Sequence, residues 1–393
     1  MPEGRLHVLV VDDSAVVRET VSRLLGRIPG WQVTTAVDSV IALERIRRDR
    51  PDVVLLDLEM PRMDGLTLLR HLMATDPVPV VVCSSHADHG TETALAALEL
   101  GAVEIFPKPR LGWRACLDDS GAALTETLRR AAAAGPALKR GWRRQSRHRV
   151  PSLVQGPARA MEAPRKASPV VASPKADSIR GSGQRTLLIG ASMGGSEAVR
   201  HIVSELPVDG PPCLVVLHMP HPFTSSFARR LNQQSAMEVR EAATGEAVVP
   251  GRVLVAPGGR HMTGRRGPAG VEIEVTDEGA VKGHRPSVDV LFHSAARVIA
   301  EDAVAVILTG MGDDGSEGLM ALQRAGASTL AQDKATSTIF GMPRAAIELG
   351  AARDVLPLEC IGARMLTLAR TTTLREAGPE AEAPEAAHPR DED

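Results

Sequence analysis

The chain has 393 residues, and its 43% apolar and 24% charged content excludes both a largely disordered polymer and a fibre. Aromatics make up only 2%, with no tyrosine, so stacking on nucleic-acid bases is excluded as a main activity and cores must be built from Val, Leu, Ile, Ala and Met. The net charge of -2 averages over segments of opposite sign, the four cysteines (Cys83, Cys116, Cys213, Cys360) form no C-x-x-C pair, and no uncharged apolar run reaches the ~18 residues of a membrane span. A reduced, cytoplasmic chain of two or three domains is expected, without membrane insertion.

From residue 5 to about 134, short β-branched runs alternate with helical patterns: HVLVV, VVRETVSRLLGRI, WQVTTA, SVIALERIRRD and DVVLLD. This rhythm predicts βαβ units and a parallel sheet over 1–134. Between Lys139 and Arg185 the character changes, with twelve Lys or Arg against two acids and with five prolines, so 135–183 reads as a flexible basic linker. The βα rhythm resumes with TLLIGAS, CLVVLH, RVLVAPG, VEIEVTD and AVAVILTG, predicting a second, largely parallel, doubly wound α/β domain over 184–371. The last segment, 372–393, carries seven acids and almost nothing apolar, and is expected to be disordered.

In the first domain Asp12 and Asp13 follow one strand and Asp57 ends another, so three carboxylates converge where an open parallel sheet binds ligands. Clustered carboxylates repel unless a hard cation shares them, which points to Mg2+. Ser84 or Ser85 closes a further strand and Lys108 closes AVEIF, giving a hydroxyl and an ammonium at the same sheet edge that suit a phosphoryl group on Asp57.

In the second domain Gly190-Ala191-Ser192-Met193-Gly194 lies between a buried strand and a helix and satisfies G-x-S-x-G. A glycine-rich turn of this kind lifts a serine hydroxyl above a sheet or cradles a phosphate. His218 ends the next strand, and a right-handed crossover puts it on the rim with Ser192. Asp314, within Gly310-Met311-Gly312-Asp313-Asp314-Gly315, ends a third strand, where a carboxylate can orient an imidazole. His221, His261, His284 and His293 compete with His218, and position favours His218. The order Ser, His, Asp differs from that of α/β-hydrolases, so a lipase fold is not implied.

The first ~125 residues resemble the receiver domains of two-component response regulators through Asp12-Asp13, Asp57 followed by Met60-Pro61 and Asp64-Gly65, Ser84, and Lys108-Pro109. That resemblance implies a flavodoxin-like five-strand fold and phosphorylation of Asp57 by a chemotaxis histidine kinase. It also implies Mg2+ held by Asp13, Asp57 and the Glu59 carbonyl within the acid cluster that includes Asp12. Where many receivers carry an aromatic, three residues before the lysine, this chain has Ile105.

The second domain closely resembles the catalytic domain of the chemotaxis protein-glutamate methylesterases, the CheB family, through IGASMGG, HMPHPFTSSFARRLN, APGGRHM, HRPSVDVLFHSAA, ILTGMGDDGSEG and QDKATSTIFGMPRAA. This implies nucleophile Ser192, general base His218 and orienting Asp314, with the Met193 and Met311 amides as oxyanion donors and Asp313 only a neighbour. Many relatives carry Thr or Ala where this chain has Met193, which bears on substrate fit. The implied activity is hydrolysis of glutamate γ-methyl esters on chemoreceptors, releasing methanol, with receptor glutamine deamidation beside it and no cofactor for the ester step. A monomer is expected, with the unphosphorylated receiver covering the Ser192 rim. Two other outputs are weighed: a DNA-binding regulator, opposed by a linker with no helix-turn-helix pattern and only Trp142 as an aromatic, and an enzyme-dead scaffold, opposed by three filled triad positions.

Overall fold

Continuous runs of Val, Leu and Ile with no polar alternation form strands only where both faces of a sheet are covered, and such runs build both halves of the molecule. The computed structural model describes residues 5–60, 65–84, 88–108, 117–135, 185–268 and 270–370. Apart from Gly135, the expected linker and the acidic tail lie outside these residues, as do Pro61, Asp64, Ser85 and Pro109.

The N-terminal half holds β1 (Leu6–Val11), α1 (Ala15–Leu25), β2 (Trp31–Ala36), α2 (Ser39–Arg48), β3 (Val53–Asp57), α3 (Gly65–Thr75), β4 (Val80–Ser84), α4 (Asp88–Glu99), β5 (Glu104–Pro107) and α5 (Leu117–Ala133). All strand pairs are parallel, in the order β2-β1-β3-β4-β5. The order reverses between β1 and β3, and the carboxyl ends at that point carry Asp12 and Asp57. Local chemistry starts the helices: the Ser14 hydroxyl accepts from the Val17 amide at 3.4 Å and the Asp38 carboxylate from Ile41 at 2.9 Å.

The C-terminal half holds β6 (Thr186–Ala191), α6 (Gly195–Ser204), β7 (Cys213–Leu217), α7 (Phe223–Gln234), β8 (Glu238–Glu241), β9 (Arg252–Val255), β10 (His261–Gly267) and β11 (Gly270–Thr276). It continues with α8 (Val288–Val298), β12 (Ala303–Ile307), α9 (Ser316–Arg324), β13 (Ser328–Gln332), α10 (Met342–Glu348), β14 (Asp354–Leu356) and α11 (Leu358–Arg370). Seven strands, all paired in parallel, run in the order β14-β13-β12-β6-β7-β9-β8. Phe223 on one face and Phe292 on the other are fully buried, each worth about 2–3 kcal/mol of transfer free energy.

One strand departs from the expected rhythm. VEIEVTD does not join the parallel sheet; it pairs antiparallel with β10, from His261 opposite Thr276 to Gly267 opposite Gly270. Only Ile273 and Val275 of β11 are buried, so one face meets the core and the other meets water, which suits a hairpin. The short strands β8 and β14 were not legible because their sequences, EVRE and DVL, carry the charges typical of sheet edges.

Candidate active site

Two sites stand at carboxyl ends of strands. In the N-terminal half, Asp12 and Asp57 are buried and Asp13 is exposed, and ligand oxygens of all three lie within 4.8 Å of one another. Burial, then the charge of Asp57, pushes the Asp12 carboxyl up to about 6. Crowded hard oxygens of this kind fit a divalent cation such as Mg2+. Lys108 Nζ donates to Asp57 Oδ2 at 2.7 Å; burial opposes its charge, but the bond and charge of Asp57 outweigh burial and hold the ammonium above the usual lysine range. The Glu59 amide donates to Asp57 Oδ1 at 3.0 Å, and Ser84 is buried at the end of the neighbouring strand. The predicted phosphoryl-contacting and acidic residues are therefore brought together.

In the C-terminal half, β6 lies between β7 and β12, so Ser192, His218 and Asp314 follow three adjacent strands. Ser192 is half-buried, its amide donates to Thr309 O at 3.0 Å, and the His218 amide donates to Ala191 O at 3.0 Å. His218 Nε2 lies 2.7 Å from Asp314 Oδ2. Asp314 is 1% exposed; burial opposes its charge, but the hydrogen bond and charge of His218, then Ser287 and the Val288 amide, hold the carboxyl well below the carboxylate range. With Nε2 engaged, Nδ1 is the ring nitrogen left for proton transfer, and it is buried without a partner. Among the described residues no hydrogen bond joins the Ser192 hydroxyl to His218, and the Met193 and Met311 amides donate to no protein acceptor.

Three further features escaped the sequence. The ring of His284 stacks on His218, with centroids 3.7 Å apart and planes 9° apart, and burial, then the charge of His218, lowers it to about 3 so that it stays neutral. Thr309 ties the loops together: its hydroxyl donates to Met193 O at 2.9 Å and accepts from the Ile339 amide at 2.8 Å, while its amide donates to buried Gln332 at 2.7 Å. Gly310 packs between Met342 and Ser192, where an added Cβ would lie closest to Met342 Sδ and 2.8 Å from Ser192 Cβ. Gly310→Ala is expected to displace the serine and lower kcat about fivefold with the fold retained, read by steady-state hydrolysis beside a melting curve.

Residues 187–365 match the CheB methylesterase family, and residues 8–111 match the response regulator receiver domain family. "Protein-glutamate methylesterase/protein-glutamine glutaminase 5" of Anaeromyxobacter dehalogenans is 51% identical over 366 residues, covering 93% of this chain and 97% of that protein. The chain belongs to the CheB methylesterase family. A Rhodospirillum rubrum member, "Protein-glutamate methylesterase/protein-glutamine glutaminase 2", is 46% identical over 92% of this chain and 98% of its own. Among solved structures, the Thermotoga maritima CheB methylesterase catalytic domain is 38% identical, with a TM-score of 0.46, covering 47% of this chain and 98% of that one. The fold of this CheB-family chain is a parallel-sheet receiver domain joined to a parallel-sheet α/β catalytic domain.

The receiver closes the serine rim in this structure. A narrow cleft is lined by Ser192, Met193 and His218 and, from the receiver, by Leu98, Val103 and Glu104. Glu104 Oε1 accepts from Arg130 at 2.7 Å, and its Oε2 is buried without a partner. Burial pushes its carboxyl up, against the pull of Arg130 and then of His218. The Met193 side chain is 5% exposed and belongs to the apolar cluster of Val103, Phe106 and Leu124, so its bulk fills the domain interface. Further along, α4 packs on α6 and α7, with Leu95 beside Phe227 and Leu231 and an ion pair between Glu99 and Arg230.

Proposed function

We propose that the chain is a phosphorylation-gated, serine-type protein-glutamate methylesterase that hydrolyses glutamate γ-methyl esters on chemoreceptors and deamidates receptor glutamines. The observation that carries this reading is the 2.7 Å pair of His218 and Asp314 on the rim that also holds Ser192. Ser192 Oγ attacks the γ-carbonyl carbon while His218 Nδ1 takes its proton; the C–OCH3 bond breaks and methanol leaves with that proton. Water then attacks the acyl-serine, giving its proton to His218, and Ser192 is released with the glutamate product. Asp314 fixes the ring and stabilises its charged form, and the Met193 and Met311 amides serve the oxyanion, at about 10² to 10³ in rate per donor.

Asp12, Asp13, Asp57 and the Glu59 carbonyl would hold Mg2+, which supplies charge neutralisation for phosphoryl transfer to Asp57. A chemotaxis histidine kinase is the phosphoryl donor in this reading. Lys108, 2.7 Å from Asp57, and Ser84 would contact the phosphoryl oxygens. The phosphoryl group adds about 1.5 to 2 negative charges beside β4 and β5, and Glu104, which lines the serine cleft, lies on β5. Phosphorylation thereby releases the receiver from the rim. The test is methanol release from methylated receptor membranes with and without a small phosphodonor and Mg2+. Wild type is expected to speed up on adding the donor and Asp57→Asn to stay at the basal rate; equal stimulation of both would remove Asp57 from the switch.

A further inference from the structure

We propose that Ser287, steadied by His261, is the positioning residue that aims the Asp314 carboxylate at His218. The inference rests on the serine-triad reading above. Ser287 is wholly buried at the N-cap of α8. Its hydroxyl lies 2.7 Å from Asp314 Oδ1 and 3.4 Å from the Val290 amide. A carboxylate only accepts and an amide N–H only donates, so the single hydroxyl proton must point at Asp314 while a lone pair receives Val290. The shorter bond is the one to Asp314, so helix capping is the lesser of its two tasks.

The serine is itself held from behind. Its amide donates to His261 Nδ1 at 3.2 Å, which requires that nitrogen to be bare and the ring proton to sit on Nε2. Nε2 lies 3.0 Å from Gly279 O, an acceptor that fits this tautomer. His261 is fully buried, so two backbone groups fix both its tautomer and its ring plane. The chain of contacts runs from Gly279 through His261 and Ser287 to Asp314, and from there to His218.

Asp314 has four donors for its four lone-pair sites. Oδ1 accepts from Ser287 Oγ and, at 3.1 Å, from the Asp289 amide. Oδ2 accepts at 2.7 Å from the Val288 amide and at 2.7 Å from His218. Ser287 Oγ is the one donor besides His218 that belongs to a side chain, so it is the one a substitution can remove. Removal frees the carboxylate to rotate about the two helix-end amides, lowering the fraction of His218 held in the reactive orientation. It also concentrates charge on the oxygen facing His218, which favours the protonated ring and so disables the base at higher pH. The other groups around His218 stay as they are: neutral His284 stacked on it, and Glu104 with Arg130 from the receiver side.

The test is methanol release by the full chain on methylated receptor membranes, with phosphodonor and Mg2+, from about pH 5.5 to 9, beside melting curves. Ser287→Ala and Ser287→Gly should lower kcat about fivefold with KM little changed and move the acid limb up by about half a pH unit, while Ser287→Thr, which keeps the hydroxyl, should follow wild type. Glycine is a serviceable N-cap, so the Gly variant decides if the Ala variant folds poorly. Folded Ala or Gly variants with wild-type kcat and an unmoved acid limb would overturn the assignment, as would a Thr variant that loses as much as Ala. Ser192→Ala is the control: if it still releases methanol the triad reading itself fails, whereas a silent Ser192→Ala with unaffected Ser287 variants removes only the role of Ser287.

Discussion

Ser192→Ala is expected to lower phosphodonor-stimulated methanol release by at least about 10⁴-fold, because it removes the atom that forms the acyl bond. The loss should fall on kcat, since alanine keeps the turn: the Ser192 amide still reaches Thr309 O and Gly310 still backs on Cβ. His218 and Asp314 remain paired at 2.7 Å without the hydroxyl, so the melting temperature should change little. Phosphorylation of Asp57 should proceed at the wild-type rate, as that pocket lies on the other sheet. Radiolabel transfer to Asp57 measured beside methanol release separates enzyme from scaffold. A Ser192→Ala protein that retains even a tenth of the wild-type rate would show that another nucleophile does the work.

Much of this site was legible because Ser192 and His218 directly follow buried strands and Asp314 sits in the loop after a third, and parallel strands deliver their ends to one edge. Ser192 follows TLLIGA, His218 follows CLVVL and the loop to Asp314 follows AVAVI, so counting strands was enough. The same logic gave Asp12, Asp57, Ser84 and Lys108. What stayed hidden sits in loops or depends on register across distant segments. His284 ends a turn before α8 whose backbone closes on itself, Val281 and His284 exchanging two hydrogen bonds, Ser287 follows at the cap of α8, and nothing in HRPSVD says which side chain turns toward His218. Gly310 reads as one glycine among many until its approach to Ser192 is measured. Glu104 looks like a surface acid at a strand start and becomes a cleft residue only once the two domains meet. Met193 also gains its place there: its side chain packs against receiver residues.

Charge reversal at that interface is expected to uncouple the enzyme from its switch. Arg230 on α7 pairs with Glu99 at the end of α4, each about one-third exposed (33% and 32%), so solvent screens the pair and its worth is about 0.5 to 1 kcal/mol. Arg230→Glu replaces that attraction by a repulsion of similar size, a change of about 1 to 2 kcal/mol, or about 5- to 30-fold in the docking equilibrium. The contacts of Leu95 with Phe227 and Leu231 are untouched, so both domains should stay folded. Basal methanol release should rise about 5- to 30-fold, phosphodonor should add little, and Asp57→Asn in the same background should not lower the rate. Adding Glu99→Arg restores an opposite pair with its signs exchanged, and should return both the low basal rate and the response to phosphodonor. A basal rate unchanged by Arg230→Glu would exclude this contact from the gate. If the rate rises but the exchanged pair stays fast, the effect comes from altered local structure and not from the ion pair. Salt gives an independent reading: raising it should speed the basal reaction of wild type and slow that of Arg230→Glu, since screening weakens attraction in one and repulsion in the other.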